Sequence, residues 1–84
     1  MPEAIVLINT DIGTEEEVMN TLSTIEGVTE TYIVYGVYDI VAKVRAPTTE
    51  ALKEIISSKI RRIPNVRSTL TMIVVEGREV TQKK

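Results

Sequence analysis

No cysteine, histidine, tryptophan or phenylalanine occurs in these 84 residues. Without cysteine there is no disulfide framework and no thiolate metal site. Without histidine the chain lacks the usual neutral-pH base and the commonest metal ligand. The only aromatics are Tyr32, Tyr35 and Tyr38, too few and too close together to stack a run of nucleic-acid bases. The core must therefore be built from Ile, Val, Leu and Met. No apolar run approaches the ~20 residues of a membrane span. Pro2-Glu3 follows Met1 directly and acids crowd the first half, so no signal-peptide pattern is present. These features predict a soluble, cytoplasmic protein.

Bases are missing from the first half altogether. Met1 to Ala42 holds eight acids (Glu3, Asp11, Glu15, Glu16, Glu17, Glu26, Glu30, Asp39) and no Lys or Arg. All ten bases come after it, and the net charge is −2. That balance argues against non-specific nucleic-acid binding. A division of this kind describes either two solvated faces or complementary surfaces within the fold or between subunits.

The length fits one domain over residues 1–84, with a core over about 4–76 and a polar tail over 77–84. Such a core is small, and oligomerisation would add to its stability. Ala4 to Asn9 is a continuous apolar run whose β-branching favours a buried strand. Asp11-Ile12-Gly13 reads as a turn. Thr14-Glu15-Glu16-Glu17 predicts a capping box, with Thr14 accepting first-turn amides and Glu17 reaching back. Val18, Leu22 and Ile25 recur on one helix face, Met19 widens it, and Gly27 stops it. Val28 to Tyr35 is a second strand and Val37 to Ala46 a third. Gly36 between them predicts a short hairpin turn with positive φ. Alternation puts Val28, Glu30, Tyr32 and Val34 on one face of the second strand. Thr48 or Thr49 caps a second helix, whose stripe is Leu52, Ile55, Ile56, Ile60 and Ile63. Pro64-Asn65 ends it, and Val66 to Val75 is the fourth strand.

The element order βαββαβ, with right-handed crossovers, predicts an α+β, ferredoxin-like plan. Two helices cover one face of a four-stranded antiparallel sheet of order 4-1-3-2. The first strand is apolar on both sides, as is the end of the fourth, so the uncovered face also expects a partner. The expectation is two subunits packed sheet to sheet, a dimeric α+β barrel.

Gly36-x-x-Asp39, a helix ending in Ile63-Pro64-Asn65-Val66, and Thr69-x-Thr71 in the last strand resemble the effector domain of Lrp/AsnC regulators. That domain is called RAM, for regulation of amino acid metabolism. The resemblance runs from about Ala4 to Glu76. Family regulators also carry a DNA-binding helix-turn-helix before this domain. Here the first strand begins near residue 4, so the chain resembles a stand-alone form without direct DNA binding. Asn65 stands where the family most often has Gly; Asn tolerates the left-handed conformation, so the turn is expected to survive.

Several constellations admit a structural and a functional reading. Gly36 and Asp39 are either a hairpin glycine with a turn-capping carboxylate, or the wall of an amino-acid pocket. The resemblance favours the pocket, with Tyr35, Gly36, Val37, Tyr38 and Asp39 as its loop. It also implies that Thr69 and Thr71 complete the site from across a subunit interface, while Met72 and Val74, on the opposite face, belong either to the core or to the pocket for the apolar side chain. Ser68 belongs to the same hydroxyl-rich segment, and these hydroxyls can also be plain strand formers. Asp11-Ile12-Gly13 is either a simple turn or an anion-holding loop like that of ACT domains. Lys59, Arg61, Arg62 and Arg67 complement the helix dipole and the acidic half, or else meet phosphate.

The resemblance implies a stand-alone amino-acid-sensing and oligomerisation module with no cofactor, no metal and no catalytic residues. An effector bound between dimers would shift assembly toward an octamer or larger ring. It would also alter association with full-length Lrp/AsnC regulators. The alternatives are a small enzyme of the same barrel type, for which Asn9 alone is a thin case, and an ACT-like effector module of a biosynthetic enzyme.

Overall fold

The computed structural model describes residues 1–82; the last two residues of the expected polar tail lie outside the described ones. The strands are β1 (Glu3–Thr10), β2 (Val28–Ile33), β3 (Ile40–Arg45) and β4 (Val66–Ile73). The helices are α1 (Glu15–Leu22) and α2 (Thr49–Ile55), the second continuing into a π-helical turn over Ile56–Ile60. The sheet order is β2-β3-β1-β4, antiparallel at every pairing. This is the expected ferredoxin-like topology.

Alternation along β1 sends Ala4, Val6, Ile8 and Thr10 into the protein and leaves Glu3, Ile5, Leu7 and Asn9 half-buried on the other face. Ile40, Ala42 and Val44 of β3 join the buried side, where Val18 and Leu22 of α1 and Leu52, Ile56 and Ile60 meet them. The core is thus aliphatic throughout, as the shortage of aromatics requires. Burying each such side chain contributes roughly 1.5–3 kcal/mol.

The two helix starts differ. Thr48 accepts the Ala51 amide at 3.0 Å, an N-cap of the expected kind. Thr14 makes no such cap; its hydroxyl instead donates to the Asp11 carbonyl at 2.7 Å. Glu17 does not reach back, because its Oε2 accepts from Asn65 Nδ2 at 2.7 Å. Glu15 takes up the free amide of Gly13 at 2.9 Å. The capping box is therefore replaced by contacts that tie the turn to α1 and α1 to the start of β4.

Three further expectations are corrected. The chain between β2 and β3 is six residues, Val34 to Asp39, and Gly36 is not among the positive-φ glycines, which are Gly13 and Gly27. The connection is an open loop whose ends close through Val34 N donating to the Asp39 carbonyl at 2.9 Å. β3 accordingly starts at Ile40, not Val37, and β4 ends at Ile73. Lastly, the β2–β3 register shifts between Val28 and Glu30. That irregularity returns Val28 to the helix side, opposite Val44 and against the core, while Glu30 and Tyr32 stay on the open face. Asn65 takes φ 75, as the turn before β4 requires.

Candidate functional site

The register assembles the site. Ile8 lies opposite Ile40, and Asn9 lies opposite Ser68. Asp39, one residue before Ile40, donates its amide to the Ile8 carbonyl at 3.0 Å and so extends the β1–β3 ladder. Its carboxylate Oδ2 accepts the Thr10 amide at 2.9 Å and approaches the Thr10 hydroxyl at 3.4 Å. These bonds fall where β1 leaves regular pairing with β4, between Asn9 and Thr10. The carboxylate supplies the partner that the irregular backbone needs. Asn9 Nδ2 donates to Ser68 Oγ at 3.3 Å.

Asn9, Thr10, Asp39, Arg67 and Ser68 together line a cavity of about 320 Å³ at this end of the sheet. Asp39 Oδ1 accepts no side-chain hydrogen bond among the described residues, and Arg67 makes a loose 3.8 Å ion pair with Asp11. A carboxylate with a free oxygen and a half-engaged guanidinium line one small cavity. That pair is complementary to a zwitterion: the carboxylate takes an ammonium and the guanidinium a carboxylate.

The structure divides the residues that the sequence grouped. Tyr35 and Val37 are fully or nearly fully exposed, Gly36 is exposed, and Tyr38 is half-buried beside Asp39. Thr69 and Thr71 pair with Ile8 and Val6, whose side chains enter the core, so both hydroxyls turn to the helix side. Met72 pairs with Ile5 on the open face. Within one chain, none of Thr69, Thr71 and Met72 lines the cavity at Asp39. The position beside it belongs to Ser68, because the unbroken β1–β4 register and strand alternation put Ser68, not Thr69 or Thr71, level with Asn9. Asn9, Ser68 and Arg67 are legible one by one in the sequence. Their convergence is a matter of register, which the sequence signals only through the break in apolar character after Ile8.

Asp11-Ile12-Gly13 has the positive φ of a tight turn at Gly13. Its free amide is already taken by Glu15, which favours the simple-turn reading. The basic residues do not form one patch: Lys59, Arg61 and Arg67 line three different depressions.

The open face carries an apolar band of Ile5, Leu7, Leu70 and Met72 across β1 and β4, with Leu7 directly opposite Leu70. Leu70 and Met72 are more than two-fifths exposed. On the β2–β3 side Val41, opposite both Leu7 and Tyr32, continues the band before it gives way to polar side chains. Tyr32 donates to Glu30, and Lys43 sits 3.6 Å from the same carboxylate. The Tyr32 hydrogen bond, aided by Lys43, lowers the Glu30 pKa, and the same bond raises that of Tyr32. Among the described residues no group of acids could hold a metal ion, and no helix is long and apolar enough to cross a membrane.

Residues 3–82 match the family model described as the Lrp/AsnC ligand binding domain, and the chain belongs to that family. An uncharacterized HTH-type transcriptional regulator of Pyrococcus furiosus is 42% identical over 60 residues, which is 71% of this chain and 40% of that protein. The chain thus spans well under half the length of the curated regulators it matches. A homocitrate synthase of Saccharolobus islandicus is 40% identical over 75 residues, 88% of this chain but 16% of the enzyme. Among solved structures, a hypothetical protein of Pyrococcus horikoshii superposes with a TM-score of 0.85 at 40% identity, covering 92% of this chain and 93% of that one. A feast or famine regulatory protein from M. tuberculosis, complexed with L-methionine, gives a TM-score of 0.79 at 27% identity, covering 100% of this chain and 56% of that one. The fold and family are those of a regulatory, effector-binding domain.

Proposed function

We propose that this chain senses a free amino acid and converts its binding into a change of assembly. The observation that carries the reading is the cavity lined jointly by Asp39 and Arg67, in a family whose M. tuberculosis member is described in complex with L-methionine. Asp39 holds the α-ammonium and Arg67 the α-carboxylate. The exposed loop of Tyr35, Gly36, Val37 and Tyr38 closes over the side chain, reaching it from a neighbouring subunit. Met72 lies on the open face beside Ile5 and in this reading belongs to the subunit contact.

Two subunits associate through the band of Ile5, Leu7, Leu70 and Met72. That association would bury a total area of at least ~1,200 Å². An effector held between such dimers stabilises the assembly that holds it, by its differential affinity for that state. Octamers or larger rings, and association with full-length Lrp/AsnC regulators, are the outputs of this reading. Direct DNA binding by the chain is not part of it.

The test is a melting-temperature screen over the twenty amino acids, followed by calorimetry and light scattering on any that raise it. A stabilising amino acid that also shifts the molar mass supports the reading. No stabilisation by any of the twenty removes it.

The homocitrate synthase match favours a second reading, an effector module that serves a biosynthetic enzyme. Its mark is a partner enzyme whose rate responds to the same amino acid only when this chain is present.

A further inference from the structure

A second cavity, of about 350 Å³, lies between the C-terminal half of the second helix and the edge strand β4. Its lining is Lys53, Ile56, Ser57, Arg61, Thr71 and Ile73. Nothing in the reading of Asp39 uses it. Two features of this cavity are out of the ordinary.

The first is Thr71. Its Oγ1 is buried and has no hydrogen-bond partner, the one such side-chain atom among the described residues. A buried hydroxyl without a partner is costly, and native structures seldom keep one unless something else satisfies it. The other residues of the cavity offer donors. Lys53 and Arg61 make no salt bridge among the described residues, and the Ser57 hydroxyl makes no side-chain hydrogen bond there. Neighbouring groups on the same helix are engaged: Ser58 donates to Glu54 at 2.9 Å.

The second feature is the π-helical turn over Ile56–Ile60, closed by Arg61 N donating to the Ile56 carbonyl at 3.0 Å. On an uninterrupted α-helix, residues eight apart are displaced by roughly 80° around the axis. A π turn takes one more residue per turn and rotates the residues beyond it backward. Arg61 is thereby returned to the side of Lys53 and Ser57, and all three line the same cavity. The irregular turn brings two cations and a hydroxyl together opposite the orphaned Thr71 hydroxyl, while Ile56 and Ile60 stay in the core.

We infer that this cavity, lined by Lys53, Ser57, Arg61 and Thr71, is a binding site for a small oxyanion, free or carried on a short apolar body. Lys53 and Arg61 supply the counter-charge, and Ser57 and Thr71 donate hydrogen bonds. Ile56 and Ile73 form the wall against which an apolar body rests. Phosphate and carboxylate share this chemistry, so inorganic phosphate and butyrate are the two arms of the test.

Calorimetric titration of the full chain at low ionic strength is expected to show one saturable site per chain for at least one of the two anions. The Lys53→Met/Arg61→Met variant should weaken that binding at least tenfold, and Lys59→Met, which alters a cation outside the cavity, should leave it unchanged. Thr71→Val is the sharper variant. It should weaken binding several-fold while the melting temperature of the free protein holds or rises, and Thr71→Ser should restore wild-type affinity. Several outcomes overturn the site: no saturable binding of either anion, equal weakening by Lys59→Met, or wild-type affinity in Thr71→Val. Loss of higher assembly in the double variant with anion affinity unchanged would mark this corner as a contact for a second copy's acidic half, and would also overturn it. Displacement of the anion by the amino acid that binds at Asp39 would make the cavity part of that effector's site, and would end its separate role.

Discussion

Asp39 and Thr10 are bonded across 29 residues of chain, the carboxylate Oδ2 accepting the Thr10 amide at 2.9 Å. One acid thereby closes the end of β1 and also lines the cavity. The structural and functional readings of Asp39 are therefore not exclusive, and substitutions can separate them. Asp39→Ala leaves the Thr10 amide without its partner and should cost about 1–3 kcal/mol of stability. Asp39→Asn keeps an acceptor and should cost little. If the carboxylate holds an ammonium, however, Asp39→Asn loses a charge-assisted bond of roughly 1.5–3 kcal/mol, about a ten- to hundredfold loss in affinity. Chemical denaturation and calorimetry on both variants check the pair of outcomes; unchanged affinity in a folded Asp39→Asn would leave the residue with a structural role only.

Gly27 has no room for a side chain. Its φ is +105, and a Cβ there would lie 2.8 Å from Ile55 Cδ1 and 3.0 Å from the Arg45 carbonyl oxygen. The Ile55 methyl can swing aside, but the backbone oxygen cannot, because Gly27 and Arg45 are also joined by a 2.7 Å hydrogen bond from Arg45 N to the Gly27 carbonyl. Gly27→Ala combines backbone strain with overpacking, and the expected loss is about 2–4 kcal/mol. A drop in melting temperature is the readout. Gly36→Ala is the control: it has open space and no positive φ, and its stability should match wild type.

Leu70 sits opposite Leu7 on the open face. A carboxylate placed there would be forced into an apolar sheet-to-sheet contact. Leu70→Glu should therefore yield a monomer in light scattering at micromolar concentration, whereas an exposed leucine in a protein that was monomeric to begin with would tolerate the change. Wild-type mass in the variant would remove this face as the dimer contact.

Glu30, Tyr32 and Lys43 make a pH-dependent contribution. The Glu30 pKa is lowered, first by the Tyr32 hydrogen bond and then by Lys43. Its stabilisation is present above the ordinary Glu range and is lost as the pH falls through the depressed value. The Tyr32 pKa is raised by the same bond, so its share is present below the ordinary phenol range and is lost as the pH rises through the elevated value. The difference in stability between wild type and Tyr32→Phe should thus be widest between those ranges and shrink at both ends. Both groups are exposed, so the effect is small in the free chain. Denaturation midpoints across pH measure it, and a difference constant with pH would argue against the bond.

The aliphatic core was legible from periodicity, because burial follows side-chain spacing along a single strand or helix. Leu52, Ile56, Ile60 and Ile63 of the helical stripe are read off directly in this way, with Ile55 of the same stripe only partly buried, whereas β1 is apolar throughout and its inward face emerged only in the structure. The element order and right-handed crossovers were enough to constrain the sheet topology, and the Pro64-Asn65 stop was also visible. The Thr14 capping box was not realised, since Asn65, 48 residues away from Glu17, competes for its carboxylate. The single-residue shift at Val28 and the π turn at Ile56–Ile60 are likewise local irregularities for which residue type and period carried no signal. What the amino-acid sequence determined by itself was the fold and the apolar open face, both consequences of residue type and period; a pocket role for Asp39 was implied only by the family resemblance. Only the tertiary structure decided which neighbours Asp39 has. A step of one residue in strand register reverses the face to which a side chain points: the regular pairing of Asn9 with Ser68 turns Thr69 and Thr71 to the helix side, and the irregular step between Asn9 and Thr10 leaves Arg67 next to Ser68 at the cavity.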